Sequence, residues 1–183
     1  MRMFNLKAMV LLATLGVAAT ANASINLHGE AGKEFTNLSA SFGADNPGLT
    51  FNGNWAHSDD DGDVAGLGMG FNLPLGPVLF TVGGKALYLN PKDGDEGYAV
   101  AVGGGAQIPL GDFITLFGEG YYSPDSLSSG VEDYVEANGG VRVRIIKSMS
   151  IEAGYRYMDM AGKHDHRDNK LADGAYAGFN FTF

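Results

Sequence analysis

Apolar and polar residues alternate with period two along most of this chain, and that pattern constrains its fold more than any other feature. Leu49, Phe51, Gly53 and Trp55 alternate with Thr50, Asn52, Asn54 and Ala56. Val135, Ala137, Gly139, Val141, Val143 and Ile145 alternate with Glu136, Asn138, Gly140, Arg142 and Arg144. The chain ends on Ala175, Ala177, Phe179, Phe181 and Phe183, interleaved with Tyr176, Gly178, Asn180 and Thr182. Successive side chains of a strand point to opposite faces, so each of these segments reads as a strand between two different solvents. No segment carries a convincing 3.6-residue repeat. About ten such segments occur, near 24–33, 35–44, 49–57, 64–73, 78–89, 98–108, 113–122, 134–146, 150–159 and 173–183. Roughly ten residues is the length with which a tilted strand crosses a bilayer.

The connections come in two kinds. "DNPG", "PLGP", "PLGD" and "KSM" are short, with Pro and Gly in turn positions. "SDDDGD", "NPKDGDEG", "SPDSLSSGVED" and "MAGKHDHRDNKLA" are longer and polar. Short turns at one end and longer loops at the other is the layout of an outer-membrane barrel, its short turns periplasmic. The reading is an all-β fold: a closed antiparallel transmembrane β-barrel of about ten strands. The weakly marked "AGKEF" turn leaves eight or twelve strands open.

A soluble β-sandwich also alternates, so the solvent of the apolar face has to be argued. Trp55, Tyr88, Tyr98, Tyr121, Tyr122, Tyr134, Tyr155, Tyr157 and Tyr176 lie toward the long-loop ends of the strands. Phe42, Phe51, Phe71, Phe80, Phe113, Phe181 and Phe183 lie toward the short-turn ends. Aromatic rings gather at membrane–water boundaries, and a soluble core gives no reason for such sorting. The polar face carries charges deep within strands: Lys85, Glu119, Arg142, Arg144, Glu152 and Arg156. In a barrel these project into the lumen, with Arg144 expected opposite Glu152 across the "KSM" turn. They predict a lumen plugged by side chains. The terminal Phe179, Phe181 and Phe183 resemble the C-terminal signal that the barrel-assembly machinery reads. A strand at the chain end pairs with the first strand and leaves no edge.

Composition excludes several alternatives. There is no cysteine, hence no disulfide framework and no thiolate metal site. The net charge of −9 and the lack of a basic cluster argue against nucleic-acid binding. Residues 1–23 read as a signal peptide, with Arg2 and Lys7 before an apolar run and "ANA" as the cleavage site. Residues 24–183 form the barrel domain.

Two loop motifs invite a chemical reading. "HSDDDGD" (His57 to Asp63) fails the EF-hand pattern, because position twelve falls on Gly68 rather than on glutamate. Asp59, Asp61 and Asp63, with Asp93 and Asp95 of "KDGDE", remain weak candidates for a loosely held hard cation. "KHDHRD" spaces His164 and His166 two apart, which suits a transition metal but supplies only two ligands. His57, His164, Ser123, Ser126 and Ser128 lie near the outer rim, without a spacing that marks nucleophile and base. We therefore assign no catalytic residue, no cofactor and no definite metal site.

"GNWAHSDDDGDVAGLG", "VGGKALYLNPKDGDEGYAVAVGGG", "YYSPDSLSSG", "IEAGYRYMDMAGK" and "ADGAY" resemble the YfaZ family of bacterial outer-membrane proteins. The resemblance covers essentially the whole chain after the signal. It implies a secreted precursor and an outer-membrane location, and it implies no reaction. "GKHDHRDNK" departs from the family pattern. The expected role is non-enzymatic, a structural or surface-interaction protein with acidic outer loops and outer-membrane lipid or lipopolysaccharide around it. The alternatives are a narrow, porin-like channel and a rim-located hydrolase or lipid A-modifying enzyme. Oligomeric state is not legible.

Overall fold

Every alternating segment is a strand in the computed structural model, which describes residues 24–163 and 166–183. The expected signal peptide, residues 1–23, and His164 lie outside the described residues. The strands are β1 (Ile25–Gly32), β2 (Thr36–Phe42), β3 (Gly48–Ser58), β4 (Gly62–Leu75), β5 (Val78–Pro91) and β6 (Gly97–Leu110). They continue as β7 (Ile114–Ser123), β8 (Ser128–Ser129), β9 (Tyr134–Ile146), β10 (Met149–Met160) and β11 (Asn169–Thr182). The two-residue β8 lies within the β7–β9 connection and pairs on the outer end of β6. The other ten form the wall, each antiparallel to its chain neighbour, and β11 closes the ring on β1 from Asn26↔Thr182 to Gly32↔Tyr176. The first hairpin, weakly marked in sequence, is thereby held on both sides. Closure leaves no open edge, as a hydrocarbon surround demands.

One parity of each strand faces outward and is apolar. Leu67, Met69 and Phe71 of β4, Val82 of β5, Val100 and Val102 of β6, and Ile151 of β10 are all exposed. A soluble protein does not expose a continuous apolar surface around its whole girth. Phe71, Phe80, Phe113, Phe181 and Phe183 are exposed near the short-turn end, as expected. Tyr88, Tyr98, Tyr122 and Tyr155 are exposed near the other end. Three outward tyrosines donate to carboxylates: Tyr88 to Glu96 at 2.6 Å, Tyr155 to Asp173 at 2.5 Å and Tyr157 to Asp159 at 3.1 Å. Each ring lies against the wall while its hydroxyl reaches the polar rim.

Three expectations need correction. Tyr121, Tyr134 and Tyr176 are buried in the lumen and do not belong to the girdle. Tyr121 and Tyr122 are neighbours in one strand, so only one of them can face lipid. Arg144 stands opposite Ser150, and it is Arg142 that stands opposite Glu152. A register shift between Met149 and Ser150 moves the ladder after the turn. Finally, "SDDDGD" is barely a loop. β3 runs on to Ser58 and β4 begins at Gly62, which leaves only residues 59–61 between them. Gly62 takes φ +107° there, and a Cβ on it would lie 2.1 Å from the Asn90 carbonyl oxygen.

Candidate functional site

The inward parity builds three layers. The outermost is apolar: Val64, Leu87, Leu89, Met158, Met160 and Leu171 are buried together. Phe35 from the β1–β2 connection and Val131 from the β7–β9 connection fold into the same cluster. Phe35 meets the ring of Tyr176 edge-on at 6.4 Å. Two outer loops thus contribute apolar stoppers to a packed plug.

Below the plug lies a layer of charges. Lys85 on β5 reaches across the lumen to both oxygens of Glu136 on β9, at 3.0 and 3.1 Å. Arg156 on β10 donates to Glu136 Oε1 at 3.0 Å and forms an ion pair with Glu30 on β1. Arg142 donates to Glu152 at 3.0 Å. Three cations therefore meet three carboxylates: Lys85, Arg142 and Arg156 against Glu30, Glu136 and Glu152. Neutral groups complete the network. Tyr134 donates to Glu136 at 3.1 Å, and the Tyr176 hydroxyl lies 3.0 Å from Glu152 and from Asn138. Lys85 also sits 4.0 Å from the centre of the Tyr121 ring. Buried charges persist only when paired and hydrogen-bonded, and these are.

Of the six charges expected in the lumen, Lys85, Arg142, Glu152 and Arg156 belong to this network. Glu119 lines the cavity beside it. Arg144 is exposed at the short-turn mouth. The reading missed Glu30, Glu136 and His28. His28 Nε2 lies 2.8 Å from Glu152. His28 and Glu30 share the polar parity of the first segment, which is the signal that could have found them. His28, Glu30 and Glu152 each bring a ligand atom within 4.8 Å of the others. Arg156 and Arg142 already hold the two carboxylates, so the group works as part of the ion network.

The third layer is a polar cup open toward the short turns. Asn26, Thr50, Asn52, Asn72, Gln107 and Asn180 are among its lining residues, around a cavity of about 180 Å³. The β2–β3 turn leans over its mouth. The Asn72 amide lies within 2.9–3.2 Å of the carbonyls of Gly43, Ala44 and Asn46, and Asn26 donates to Asp45 at 2.9 Å.

The family model described as YfaZ precursor matches residues 1–183. Outer membrane protein YfaZ of Escherichia coli (strain K12) is 58% identical over 167 residues, covering 91% of this chain and 92% of that protein. The chain belongs to the YfaZ family. It is an outer-membrane β-barrel protein. Among solved structures, the NanC porin aligns over 88% of this chain and 99% of its own at 9% identity and a TM-score of 0.46. The transport unit of the autotransporter AIDA-I from Escherichia coli aligns over 97% of both chains at 13% identity and a TM-score of 0.43.

At the outer surface of this YfaZ-family barrel, the two acidic loops do share one cation, and it is a side chain. Arg167, from the β10–β11 connection, lies 2.8 Å from Asp61 and 3.9 Å from Asp93. It also donates to the Asp60 carbonyl at 2.8 Å. His166 bonds Asp93 at 3.0 Å, and that hydrogen bond holds the Asp93 carboxyl below its usual value. Asn169, buried beneath them, donates to the Asp93 carbonyl at 2.8 Å. The segment that departs from the family pattern therefore ties "HSDDDGD" to "KDGDE". Of the expected cation ligands, Asp61 and Asp93 meet Arg167. Asp59 and Asp63 instead flank His57 at 3.2 and 2.8 Å. His57 stacks on Trp55 at 5.6 Å. Ser123 bonds Ser128 at 2.9 Å and the Leu127 carbonyl.

Proposed function

We propose that this protein is a closed, non-conducting barrel with a structural or surface-interaction role, presenting acidic loops outward from a sealed lumen. The observation that carries this reading is the stacking of an apolar plug on a layer of paired charges. Water and ions would have to cross both. A pore would line its lumen with hydrated, unpaired charges, whereas Lys85, Arg142 and Arg156 each have a carboxylate partner here. The role is non-enzymatic. Imidazole and hydroxyl do not come together at the rim among the described residues: His57 bonds Asp59 and Asp63, and Ser123 bonds Ser128. Catalysis by a serine needs its base within hydrogen-bond reach, and the Ser39 hydroxyl, 3.5 Å from His28, lines the lumen cavity rather than the rim. The acidic rim suits lipopolysaccharide through bridging divalent cations, and the exposed Phe179, Phe181 and Phe183 suit recognition by the assembly machinery. The test is electrical. The folded protein in planar bilayers should give no unitary currents, and discrete, reproducible openings would overturn the reading.

A further inference from the structure

We propose that the lumen cavity beneath the apolar plug is a binding cup for a small uncharged polyhydroxy ligand, about the size of one sugar ring. The proposal concerns the layer beneath the seal and does not require the barrel to be non-conducting.

The first observation is a set of buried amide atoms without a partner in the protein. The Oδ1 atoms of Asn37 and Asn180 are unmatched, as are both terminal atoms of Asn54, and all three residues line the cavity, Asn180 toward the mouth and Asn37 and Asn54 at its inner end beside the charge layer. Asn37 is 2% exposed and Asn180 is 5% exposed. An unmet buried polar group is costly, so several facing one cavity point to a ligand that meets them. Hydroxyl groups suit both the unmatched oxygens and the Asn54 amide nitrogen, because each donates one hydrogen bond and accepts others.

The wall of the cup is shaped to hold these amides. Across the ladder from Asn52 and Asn54 stand Gly68 and Gly66. A Cβ on Gly68 would lie 2.4 Å from Asn52 Oδ1, and one on Gly66 would lie 2.6 Å from Asn54 Oδ1. Any side chain there would drive the amides out of place. Phe117 offers one aromatic face, itself backed by Arg142 at 5.2 Å. Amides plus an aromatic wall suit a ring that has polar edges and a C–H face.

Charge and size set the ligand class. The cations lining the cup, Lys85, Arg142 and Arg156, are paired with carboxylates, Glu119 adds a further carboxylate to its wall, and Arg144 stands outside it at the mouth, so the cup disfavours an anionic ligand. The volume of about 180 Å³ is below the roughly 300–1,000 Å³ of drug-sized pockets, which restricts the ligand to a small one. The cup opens at the short-turn end, so entry is from that side, past the β2–β3 turn.

The experiment uses the folded chain in lauryldimethylamine oxide, a detergent without a sugar headgroup. Saturation-transfer NMR and calorimetry follow D-glucose, D-galactose and glycerol, with D-gluconate as the charged comparator. At least one neutral probe should saturate with a Kd of about 1 mM or tighter. Asn54→Leu should weaken it at least tenfold, and Arg167→Ala on the outer surface should leave it unchanged. Asn180→Leu, nearer the mouth, serves if Asn54→Leu does not fold, as judged by circular dichroism and heat-modifiable migration. Saturable binding lost in the cup variant supports the proposal. Failure of every neutral probe to saturate by ~100 mM, equal binding by the cup variant, or binding of gluconate alone would overturn it.

Discussion

Glu136 and Asp61 both pair with an arginine, yet the two pairs do different things. Glu136 sits inside the barrel, 1% exposed, between Lys85 and Arg156. Asp61 sits at the rim, where its partner Arg167 is half exposed. Inside, the charges have been taken out of water and must be compensated, so removing one partner strands the others. Outside, water and salt supply most of the compensation, so the pair sets loop geometry more than stability. Identical chemistry therefore acts as a structural constraint in one place and as a tether in the other.

The largest test of this contrast is Glu136→Ala. It leaves Lys85 and Arg156 facing each other without the carboxylate between them. The expected loss is about 3–5 kcal/mol, the range for a broken buried pair. Urea unfolding in detergent, followed by tryptophan fluorescence at Trp55, reads it. A variant with Lys85→Met, Glu136→Leu and Arg156→Met should recover much of the loss, because it removes the charges together. A single variant as stable as the wild type would mean that water reaches this layer, and the contrast between inside and outside would collapse.

Next comes the plug. Leu171 is fully buried among Met158, Met160 and Leu89. Leu171→Ala should cost about 2–5 kcal/mol through lost burial and the cavity left behind. The same unfolding assay applies, and a cost near zero would mean that the outer lumen is hydrated. Arg167→Ala should cost less than about 1 kcal/mol, the range for exposed pairs. Its effect should instead be local, as faster hydrogen exchange in residues 59–61 and 92–96. Unchanged exchange there would remove Arg167 as the tether.

Alternation along the strands made the wall, the outward apolar band and four of the network charges legible. It could not give distances across the lumen. Lys85 and Glu136 belong to β5 and β9, which are not neighbours in the sheet, so no ladder rule predicts their contact. Glu136 was visible on the polar parity of its segment, but nothing in a one-dimensional pattern says which opposite wall it meets. Arg144 shows a second limit. Parity put it on the inner face correctly, while the bulge beside Met149 decided its height and partner. Tyr121, Tyr134 and Tyr176 show a third: height along a strand does not settle the face, and a tyrosine of inward parity packs inside at the same level. The tether was legible only as two acidic loops and one basic segment. Arg167 is 106 residues from Asp61, and only barrel closure brings them together.

The smallest effect is a titration. Asp93 is held below its ordinary value of 3.8, first by the His166 hydrogen bond, with Arg167 adding its charge. A carboxyl lowered on folding contributes stability that is full above its unfolded value and lost as pH falls through the folded one. The window for this contact therefore lies below about pH 4, beneath the range in which imidazoles titrate. Carbon-detected NMR of the Asp93 carboxyl should give a midpoint under 3.8 in the wild type. His166→Ala should move it upward, because it removes the largest contribution, and adding Arg167→Ala should move it further. The shift should shrink in high salt, as an exposed pair requires. A wild-type midpoint at or above 3.8, or one insensitive to His166→Ala, would show that His166 does not hold the Asp93 carboxylate and that Arg167, Asn169 and backbone contacts join the loops without it.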